Sequence, residues 1–383
     1  MTDWKVPLYR PSLGDAEAAA VADVVRSGWL STGPVTRALE QEYAAALGVE
    51  DSVAVSNGTA ALHLAVLALG LTTGDEVIVP SLNFVSAAAT VALSGATPVF
   101  ADITGAHDLC VDPADVEARI TPRTRAVVAM HYGGHAADLP ALRALTTRHG
   151  LALIEDACHA PATRSEHGML GAVGDIGCFS FFATKNLAAG EGGMVVARDP
   201  ELLARIRRLR SHAMTVSAQD RHRGGPSTYD IPEIGLNYRT TEISSAIARV
   251  QLGELDRRRA GREAVVARYR EELGDLPGIV VPFAGRAPRH AAHHLFPVLL
   301  PAGTVREDFQ ARLTAAGVQS GVHYPPTHLF SYYRERFGLG PGLLPVTEDI
   351  TARQLSLPLY GDMEQDEVSL VIAATRDAWQ TEN

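Results

Sequence analysis

Short apolar runs alternate with longer stretches of helical character from about residue 52 onward. Uninterrupted apolar runs indicate strands that are buried on both faces, and the stretches between them indicate the helices that cover the sheet. The predicted strands are 52–55, 76–79, 97–101, 126–130, 151–154, 176–182 and 194–197. The helices between them are predicted at 59–69, 84–93, 113–120 and 139–149. This pattern predicts an α/β fold with a seven-stranded, mainly parallel sheet in a large domain.

Further helices are predicted before and after this alternation, from apolar periodicity and from the glycines that follow a last turn. Their bounds are 15–27, 34–47, 201–211, about 242–270 and 305–316. A short strand is predicted at 294–300. We therefore expect two domains, an N-terminal arm with the large domain at 1–245 and a linking helix with a smaller α+β domain at 246–383.

The chain has 383 residues and a formal net charge of −10. This negative balance argues against nucleic acid as a partner, because phosphate-binding proteins need a basic face. Arginine clusters at 205–210 and 257–259 fall in mixed-charge helical stretches, and we interpret them as solvated faces. No apolar segment has the character of a signal peptide or the length of a membrane span. We expect a cytoplasmic protein with no membrane partner.

The three cysteines, Cys110, Cys158 and Cys178, are widely spaced and form no CxxC pair. Neither a disulfide framework nor a zinc site is therefore expected. The sequence also has no GxGxxG motif that opens a helix after the first strand, and no GxxxxGK[ST] loop. These absences argue against dinucleotide binding and P-loop chemistry.

Lysine is rare in this chain, since only Lys5 and Lys185 are lysines among the 34 Lys and Arg residues. Arginine stays protonated in proteins, whereas a desolvated lysine amine can lose its proton and attack a carbonyl carbon. Lys185 lies on a glycine-rich connection between two predicted core strands. We interpret it as a Schiff-base lysine, with Ser180 offering its hydroxyl to an anionic ligand. The alternative is a surface lysine in an arginine-rich chain.

Two loops at the carboxyl ends of predicted strands, where parallel α/β sheets bind ligands, carry suitable residues. Gly58 and Thr59 begin a helix whose free N–H groups can hold a phosphate. Phe84 follows the second strand and can stack on a cofactor ring. A plain turn with a helix cap is the alternative for the first loop, and core packing is the alternative for Phe84.

The strand 151–154 is followed by Glu155, Asp156 and, slightly later, His159. Carboxylates at the end of a buried strand are costly unless a cation meets them. Asp156 can pair with a protonated pyridine nitrogen. Metal ligation by these three residues is the alternative, but no second cluster of ligand type has suitable spacing. We therefore expect no metal site.

Several motifs extend this interpretation over nearly the whole chain. In order they are Gly-Trp-Leu-Ser-Thr-Gly-Pro at 28–34, Asn-Gly-Thr-Ala-Ala-Leu at 57–62, Gly-Asp-Glu-Val-Ile-Val-Pro at 74–80, Ile-Glu-Asp-Ala at 154–157, Phe-Ser-Phe-Phe-Ala-Thr-Lys-Asn at 179–186, Gly-Glu-Gly-Gly at 190–193, Gly-Leu-Asn-Tyr-Arg at 235–239, His-Tyr-Pro at 323–325 and Leu-Ser-Leu-Pro-Leu-Tyr at 355–360. With them the chain resembles the DegT-type sugar-nucleotide aminotransferases, fold-type I enzymes that use pyridoxal 5'-phosphate (PLP). The resemblance implies the PLP-dependent transferase fold, which is similar to that of aspartate aminotransferase.

The resemblance also implies which residues act on the cofactor. Lys185 would bind PLP covalently and then move a proton between the substrate carbon and the cofactor. Asp156 would keep the pyridine nitrogen protonated, so that the ring withdraws electrons. Phe84 would stack on the ring. The phosphate would be held by Gly58, Thr59 and Ser180.

Further contacts follow from the same resemblance. Asn237 would reach the phosphate of the neighbouring subunit, which implies a homodimer with shared active sites. His159 would contact the ring hydroxyl, at a position where many relatives have glutamine. Substrate contacts are expected from Trp29, Tyr238, His323 and Tyr324, although the sequence around Trp29 favours a packing anchor of its loop over a substrate contact. The segment 160–164 departs from the small, glycine-containing run that is usual in the family.

The function implied is amino transfer from an amino acid, L-glutamate first, to a keto carbon of a nucleotide-linked keto-deoxysugar, with C4 favoured over C3. During the reaction PLP would alternate with pyridoxamine phosphate. One alternative is a keto-cyclitol aminotransferase of an aminoglycoside-type pathway. A PLP-dependent sugar dehydratase is disfavoured because such relatives have histidine in place of Lys185, and a non-catalytic PLP-binding sensor would not require a nucleophilic lysine.

Overall fold

The computed structural model of the chain describes residues 4–216 and 224–380. Its strands are β1 (Val53–Val55), β2 (Glu76–Pro80), β3 (Thr97–Ala101), β4 (Ile103–Gly105), β5 (Asp108–Val111), β6 (Thr124–Met130), β7 (Ala152–Asp156), β8 (Arg164–Ser165), β9 (Gly168–Met169), β10 (Ile176–Ser180), β11 (Gly193–Ala197), β12 (Phe296–Leu299) and β13 (Gln354–Leu357).

Helices surround these strands. They are α1 (Asp15–Ser27), α2 (Pro34–Leu47), α3 (Gly58–Ala68), α4 (Ser86–Leu93), α5 (Pro113–Ala118), α6 (Leu139–His149), α7 (Pro200–Leu209), α8 (Glu242–Gly253), α9 (Leu255–Leu273), α10 (Arg306–Ala316), α11 (Ser331–Phe337), α12 (Pro345–Arg353) and α13 (Gln365–Gln380). Short 3-10 turns occur at Tyr132–Gly134, Pro288–His290 and Thr327–Leu329. None of the described helices is both long and apolar enough to cross a membrane.

The main sheet has seven strands in the order β1-β11-β10-β7-β6-β2-β3. β11 runs antiparallel to β1 and β10, while the other neighbouring strands pair in parallel. The prediction of an α/β fold with a seven-stranded, mainly parallel sheet is confirmed. The remaining strands form the two-stranded pairs β4–β5, β8–β9 and β12–β13.

Alternate residues of the strands enter separate cores on the two faces of the main sheet. In β2, Val77 and Val79 pack into the core formed with α3 and α4, whereas Ile78 packs into the core that contains Leu142 of α6. Both faces of the strand are therefore apolar, which explains its uninterrupted apolar sequence. The strand ends, by contrast, carry the polar residues of the candidate site.

A further core unites the C-terminal elements. It contains large buried side chains from α9, β12, α10 and α13, namely Tyr269, Phe296, Phe309 and Trp379. The two-domain division at 245/246 stays a prediction, and this position lies within α8.

The first residue of α8, Glu242, accepts the backbone N–H groups of Gly33 (2.9 Å) and Val35 (2.8 Å). Its carboxylate thus caps the start of α2, whose N-cap glycine has no side chain of its own.

Three predicted elements have different bounds in the structure. The strand 176–182 ends at Ser180, because the next residues form a turn in which the N–H of Lys185 donates to the carbonyl of Phe182 (2.8 Å). The helix predicted at about 242–270 is two helices, α8 and α9, separated at Glu254, whose N–H donates to the carbonyl of Gln251. The strand 294–300 is shorter, Phe296–Leu299, which leaves His294 in a loop.

Candidate active site

A cavity of about 450 Å³ opens at the carboxyl ends of the parallel strands. Met130, Asp156 and Ser180, the last residues of β6, β7 and β10, contribute to its wall. Other cavities, of about 470, 530, 580 and 910 Å³, lie elsewhere and contain none of the predicted site residues. The strand-end cavity is therefore the candidate active site, as expected for an open parallel sheet.

Lys185 is partly buried and reaches the cavity from the loop between β10 and β11. Backbone hydrogen bonds close this loop, from Phe181 N–H to the Gly192 carbonyl (2.8 Å) and from Ala183 N–H to the Gly190 carbonyl (3.0 Å). Gly190 has φ +78°, a conformation that glycine adopts without strain. Burial lowers the pKa of the Lys185 amine below its ordinary value, although Cys158 and Asp156 oppose this shift. The loop thus presents an amine that loses its proton more readily than a surface lysine.

Asp156 is buried and lies at the end of β7. One carboxylate oxygen accepts a hydrogen bond from Asn83 Nδ2 (3.0 Å), and the other accepts one from the backbone N–H of Cys158 (3.2 Å). Within residues 4–216 and 224–380 no arginine, lysine or histidine forms an ion pair with it. A buried carboxylate without a cationic partner is costly, so this position fits a ligand that brings a positive charge.

The start of α3 provides an anion cradle on the cavity wall. Asn57 caps the helix by accepting the N–H of Ala60 (2.8 Å), and the first N–H groups of a helix have no partner within the helix itself. A Cβ at Gly58 would lie 2.8 Å from Cβ of Ser180, so the close approach of the two segments requires glycine. Thr59 is fixed through a 2.8 Å hydrogen bond between its hydroxyl and that of Ser86. The cradle brings together the three residues predicted to hold phosphate.

Phe84 lies in the loop before α4 and lines the cavity, with 54% of its surface exposed. α4 begins at Ser86, two residues later than Phe84, so the ring is not held on a helix face. The ring of Tyr324 contacts it edge-on, with 5.7 Å between centroids. An exposed aromatic face in a cavity favours a flat apolar ligand.

His159, His323 and Tyr324 form another wall of the cavity. His159 bonds through Nε2 to the hydroxyl of Tyr324 (3.0 Å) and through Nδ1 to the backbone N–H of Gly133 (3.3 Å). His323 bonds through Nδ1 to the hydroxyl of Ser356 on β13 (3.0 Å). Burial lowers the pKa of His323 to about 4, with a smaller contribution from the charge of Lys185. Both imidazoles are therefore neutral near pH 7.

Three predicted site residues lie outside this cavity. Trp29 donates from Nε1 to the carbonyl of Thr32 (3.2 Å) within its own loop. The hydroxyl of Tyr238 bonds to Nδ1 of His63 (2.9 Å) on α3. Asn237 is exposed, and its backbone forms a bridge to Ser211. The roles of these residues stay predictions, and a contact of Asn237 or Trp29 with a phosphate or substrate would require a second chain or a moving loop.

The sequence analysis did not identify Asn83, Glu191 and His294, which also line the cavity. His294 comes from the loop before β12, and its Nδ1 bonds to Oδ1 of Asn186 (3.1 Å), the residue after Lys185. Its ring also packs on that of His159, with 4.3 Å between centroids. Asn83 precedes Phe84 and could have been selected by its strand-end position. His294 could not, because the pattern assigned it to a strand.

Glu155, for which the sequence analysis weighed metal ligation and disfavoured it, is buried and hydrogen-bonded to several protein groups. It accepts hydrogen bonds from Nε2 of His131 (2.8 Å) and from the backbone N–H groups of Gly171 and Val173 (2.8 Å each). Its carboxylate holds the loop before β10 against the end of β7. The residue is therefore a structural support beneath the cavity.

The cavity fits the cofactor that the resemblance implies. The unpaired buried carboxylate of Asp156 suits a protonated ring nitrogen, and the glycine-tight cradle at Gly58 suits a phosphate. The exposed ring of Phe84 suits stacking, and the depressed pKa of Lys185 suits covalent binding to a carbonyl carbon. Each part of PLP thus has a complementary group in one cavity.

Comparison with known proteins agrees with this site. A sequence model of the DegT/DnrJ/EryC1/StrS aminotransferase family matches residues 11–376. The spore coat polysaccharide biosynthesis protein SpsC of Bacillus subtilis (strain 168) is 40% identical over 377 residues, which are 97% of this chain and 96% of SpsC.

Solved structures are similar over the same length. The structure of S. venezuelae DesV is 38% identical, with a TM-score of 0.86 over 95% of this chain and 94% of DesV. That of Spr1654 from Streptococcus pneumoniae, assigned as a sugar aminotransferase and solved in its PLP form, is 25% identical and has a TM-score of 0.90 over 98% of this chain and 99% of its own. The chain belongs to the DegT/DnrJ/EryC1/StrS aminotransferase family and is a PLP-dependent aminotransferase.

Proposed function

We propose that this aminotransferase takes an amino group from L-glutamate and delivers it to a keto carbon of a nucleotide-linked keto-deoxysugar, at C4 rather than C3. The observation that carries amino transfer is the joint placement of Lys185, with its depressed pKa, and the unpaired carboxylate of Asp156 in one cavity. The sugar is supported by the relatives, among which are the polysaccharide biosynthesis protein SpsC and the sugar aminotransferase Spr1654. The choice of donor and of C4 rests on the family resemblance.

In this proposal each residue of the cavity has a separate role toward a bound cofactor. PLP supplies a carbonyl carbon that binds amines and a ring that withdraws electrons. Asp156 holds a proton on the ring nitrogen, and Lys185 binds the cofactor and later moves a proton at the substrate carbon through Nζ. Phe84 covers one face of the ring. The phosphate is held by Gly58, Thr59 and Ser180.

The sugar would lie at the open side of the cavity. Glu191 lines this side, is exposed, and offers a carboxylate that accepts hydrogen bonds from sugar hydroxyls. His323 and Tyr324 face the same space from the C-terminal part of the chain. Because both are neutral near pH 7, they suit polar but uncharged groups. The remaining expected contacts, Trp29 and Tyr238, would come from outside this cavity.

We also propose that the active unit is a cytoplasmic homodimer with shared sites. Asn237 is exposed and does not line the cavity of its own chain, which supports a contact with the cofactor phosphate of a second copy. Sedimentation of the PLP-loaded protein and of the Asn237→Ala variant tests this arrangement. We expect both to be dimeric, with the variant binding PLP more weakly, whereas a catalytically active monomer would contradict shared sites.

The function is tested by two half-reactions measured by absorbance. L-glutamate is added to the PLP-loaded protein, the yellow colour is followed until it is lost, and candidate keto compounds are then added to restore it. Restoration by nucleotide-linked 4-keto sugars is expected. Restoration only by 3-keto sugars would show that the amino group is delivered to C3 and not to C4. Restoration only by keto cyclitols would support the aminoglycoside-type alternative. No loss of colour with any amino donor would contradict amino transfer itself.

A further inference from the structure

The segment before α1, residues 4–14, forms an arm that lies against the C-terminal elements. The N–H of Val6 donates to the carbonyl of Gly317 (3.1 Å), and the carbonyl of Val6 accepts the N–H of Gln319 (3.0 Å). The side chain of Val6 is buried in the C-terminal core. The arm is therefore held in one register along the segment that follows α10.

Further contacts of the arm hold the backbone at Leu8 and beyond it. The N–H of Leu8 donates to Oε1 of Gln319 (2.8 Å), and its carbonyl accepts the N–H of Leu359 (3.2 Å). Arg10, two residues later, forms an ion pair with Glu367 on α13 (2.8 Å). Because the backbone is bonded at Leu8 and anchored after it, the side chain of Leu8 is carried to a defined place.

That place is the surface of Gly321, two residues before His323 of the cavity wall. A Cβ at Gly321 would lie 2.7 Å from Cδ2 of Leu8 and 3.4 Å from Cε1 of His323, so both side chains lie against this glycine. The N–H of Gly321 donates to the carbonyl of Ser356 (3.2 Å), and the hydroxyl of Ser356 bonds to Nδ1 of His323 (3.0 Å). Leu8, Gly321 and Ser356 thus support one imidazole.

We propose that Leu8 is a positioning residue that acts through Gly321 to hold His323 for recognition of the keto acceptor, the substrate that receives the amino group. The proposal rests on the proposed function, in which this acceptor lies beside His323 at the open side of the cavity. Lys185 and Asp156, which act on either substrate, are carried by the main sheet and by the loop between β10 and β11. The contacts of Leu8 go to the C-terminal elements instead. The arm therefore affects the acceptor half-reaction and leaves the glutamate half-reaction unchanged.

Shortening this side chain in Leu8→Ala should loosen His323 and weaken its contact with the acceptor. A contact made equally before and during the reaction contributes to KM and not to kcat. We expect KM for a nucleotide-linked 4-keto sugar to rise by about tenfold, the value of one lost hydrogen bond, while kcat changes by less than about twofold. The rate at which L-glutamate removes the yellow colour should stay at the wild-type value. Leu13→Ala makes the same change at an exposed position of the arm and should leave both half-reactions unchanged.

The close approach of Leu8 and Gly321 permits an exchange of side-chain size. Gly321 does not have a positive φ, so its backbone accepts alanine. In Gly321→Ala the new Cβ meets the side chain of Leu8, one of the two must shift, and KM for the acceptor should rise. When Leu8→Ala is added, the smaller side chain leaves room for the new Cβ, and KM should return to within about threefold of the wild type. Single effects that multiply in the double variant would show that the pair is not coupled and would overturn the proposal.

Hydrogen exchange of the PLP-loaded protein without substrates gives a second measurement. The peptide 318–324 should exchange about tenfold faster in Leu8→Ala, because its support is lost, and at the wild-type rate in Leu13→Ala. An unchanged exchange rate, an unchanged KM or equal losses in both half-reactions of Leu8→Ala would overturn the proposal. If only a keto cyclitol restores the colour of the wild type, the proposed sugar is wrong. KM is then compared with that compound, so the two failures are distinguishable.

Discussion

The side-chain amide of Asn83 donates a 3.0 Å hydrogen bond to Oδ2 of Asp156. The amide is itself oriented, because its oxygen accepts the backbone N–H of Phe84 at 2.6 Å. One short segment therefore fixes both the carboxylate expected to meet the ring nitrogen and the aromatic ring expected to cover the cofactor. Replacing the side chain of Asn83 should therefore alter the orientation of the Asp156 carboxylate directly.

Replacement of Asn83 tests this orientation. Asn83→Ala removes one charge-assisted hydrogen bond, and kcat/KM of the glutamate half-reaction should fall by about tenfold to a hundredfold. Asn83→Asp has the same shape but places a second carboxylate beside Asp156, so one of the two must bind a proton and the loss should be larger. Stopped-flow absorbance measures both. Wild-type rates in Asn83→Asp would show that the carboxylate of Asp156 is not oriented by this contact.

The two lysines of the chain provide a matched pair. Lys185→Arg keeps a positive charge but removes the amine that can lose its proton, so amino transfer should fall by about a thousandfold or more. Lys5→Arg makes the same change at an exposed position outside the cavity and should leave the rate unchanged. The measurement is the loss of colour with L-glutamate. Normal amino transfer by Lys185→Arg would show that the reaction does not need the amine of Lys185.

The glycine at the start of α3 tests the phosphate cradle. In Gly58→Ala the new Cβ lies 2.8 Å from Cβ of Ser180 and 3.1 Å from the sulfur of Cys158, so the cradle must widen. Overpacking of about 1–3 kcal/mol should raise Kd for PLP by about five- to 150-fold. Fluorescence titration of the apoprotein measures this Kd. Gly253→Ala, at a glycine with open space around it, is the control and should bind PLP normally; equal affinities in both variants would contradict the cradle.

The sheet and the lysine in the candidate site could be predicted from local sequence because each has a local cause. β2 and its neighbours are apolar on both faces, and the loop with Lys185 has the glycines that its turn requires. His294 could not be predicted in this way. Its place beside His159 depends on the hydrogen bond from its backbone N–H to the carbonyl of Gly133 (2.8 Å), which joins parts of the chain that are far apart in sequence.

The break between α8 and α9 also lacks a strong local signal. Gly253 is the one weak helix former at that point, and the charged sequence that follows is compatible with a continuous helix. Packing decides the outcome, because α8 lies against α1 and α2 while α9 packs into the C-terminal core. The structural role of Glu155 could not be predicted for a related reason, since its partners Gly171 and Val173 belong to a loop that no periodicity identifies.

His135 is buried outside the strand-end cavity, and its ring is stacked on that of Phe283 with 4.1 Å between centroids. Burial is the main cause that lowers its pKa well below the ordinary value, with smaller contributions from His293, Arg286 and Arg270. A histidine of this kind is neutral in the folded state. In the unfolded chain it binds a proton once the pH falls through about 6.5.

The folded state should therefore lose stability as the pH falls below about 6.5, because the unfolded state then binds the additional proton. For one histidine that stays neutral when folded, the free energy of unfolding should be lower by about 2 kcal/mol at pH 5 than at pH 7.5. His135→Phe keeps a stacked ring and removes this contribution, so its acid-induced loss should be smaller than that of the wild type by about the same 2 kcal/mol. Urea unfolding at the two pH values measures the difference. The exposed His149→Phe should follow the wild type, and an equally steep loss in His135→Phe would show that His135 takes up its proton without unfolding.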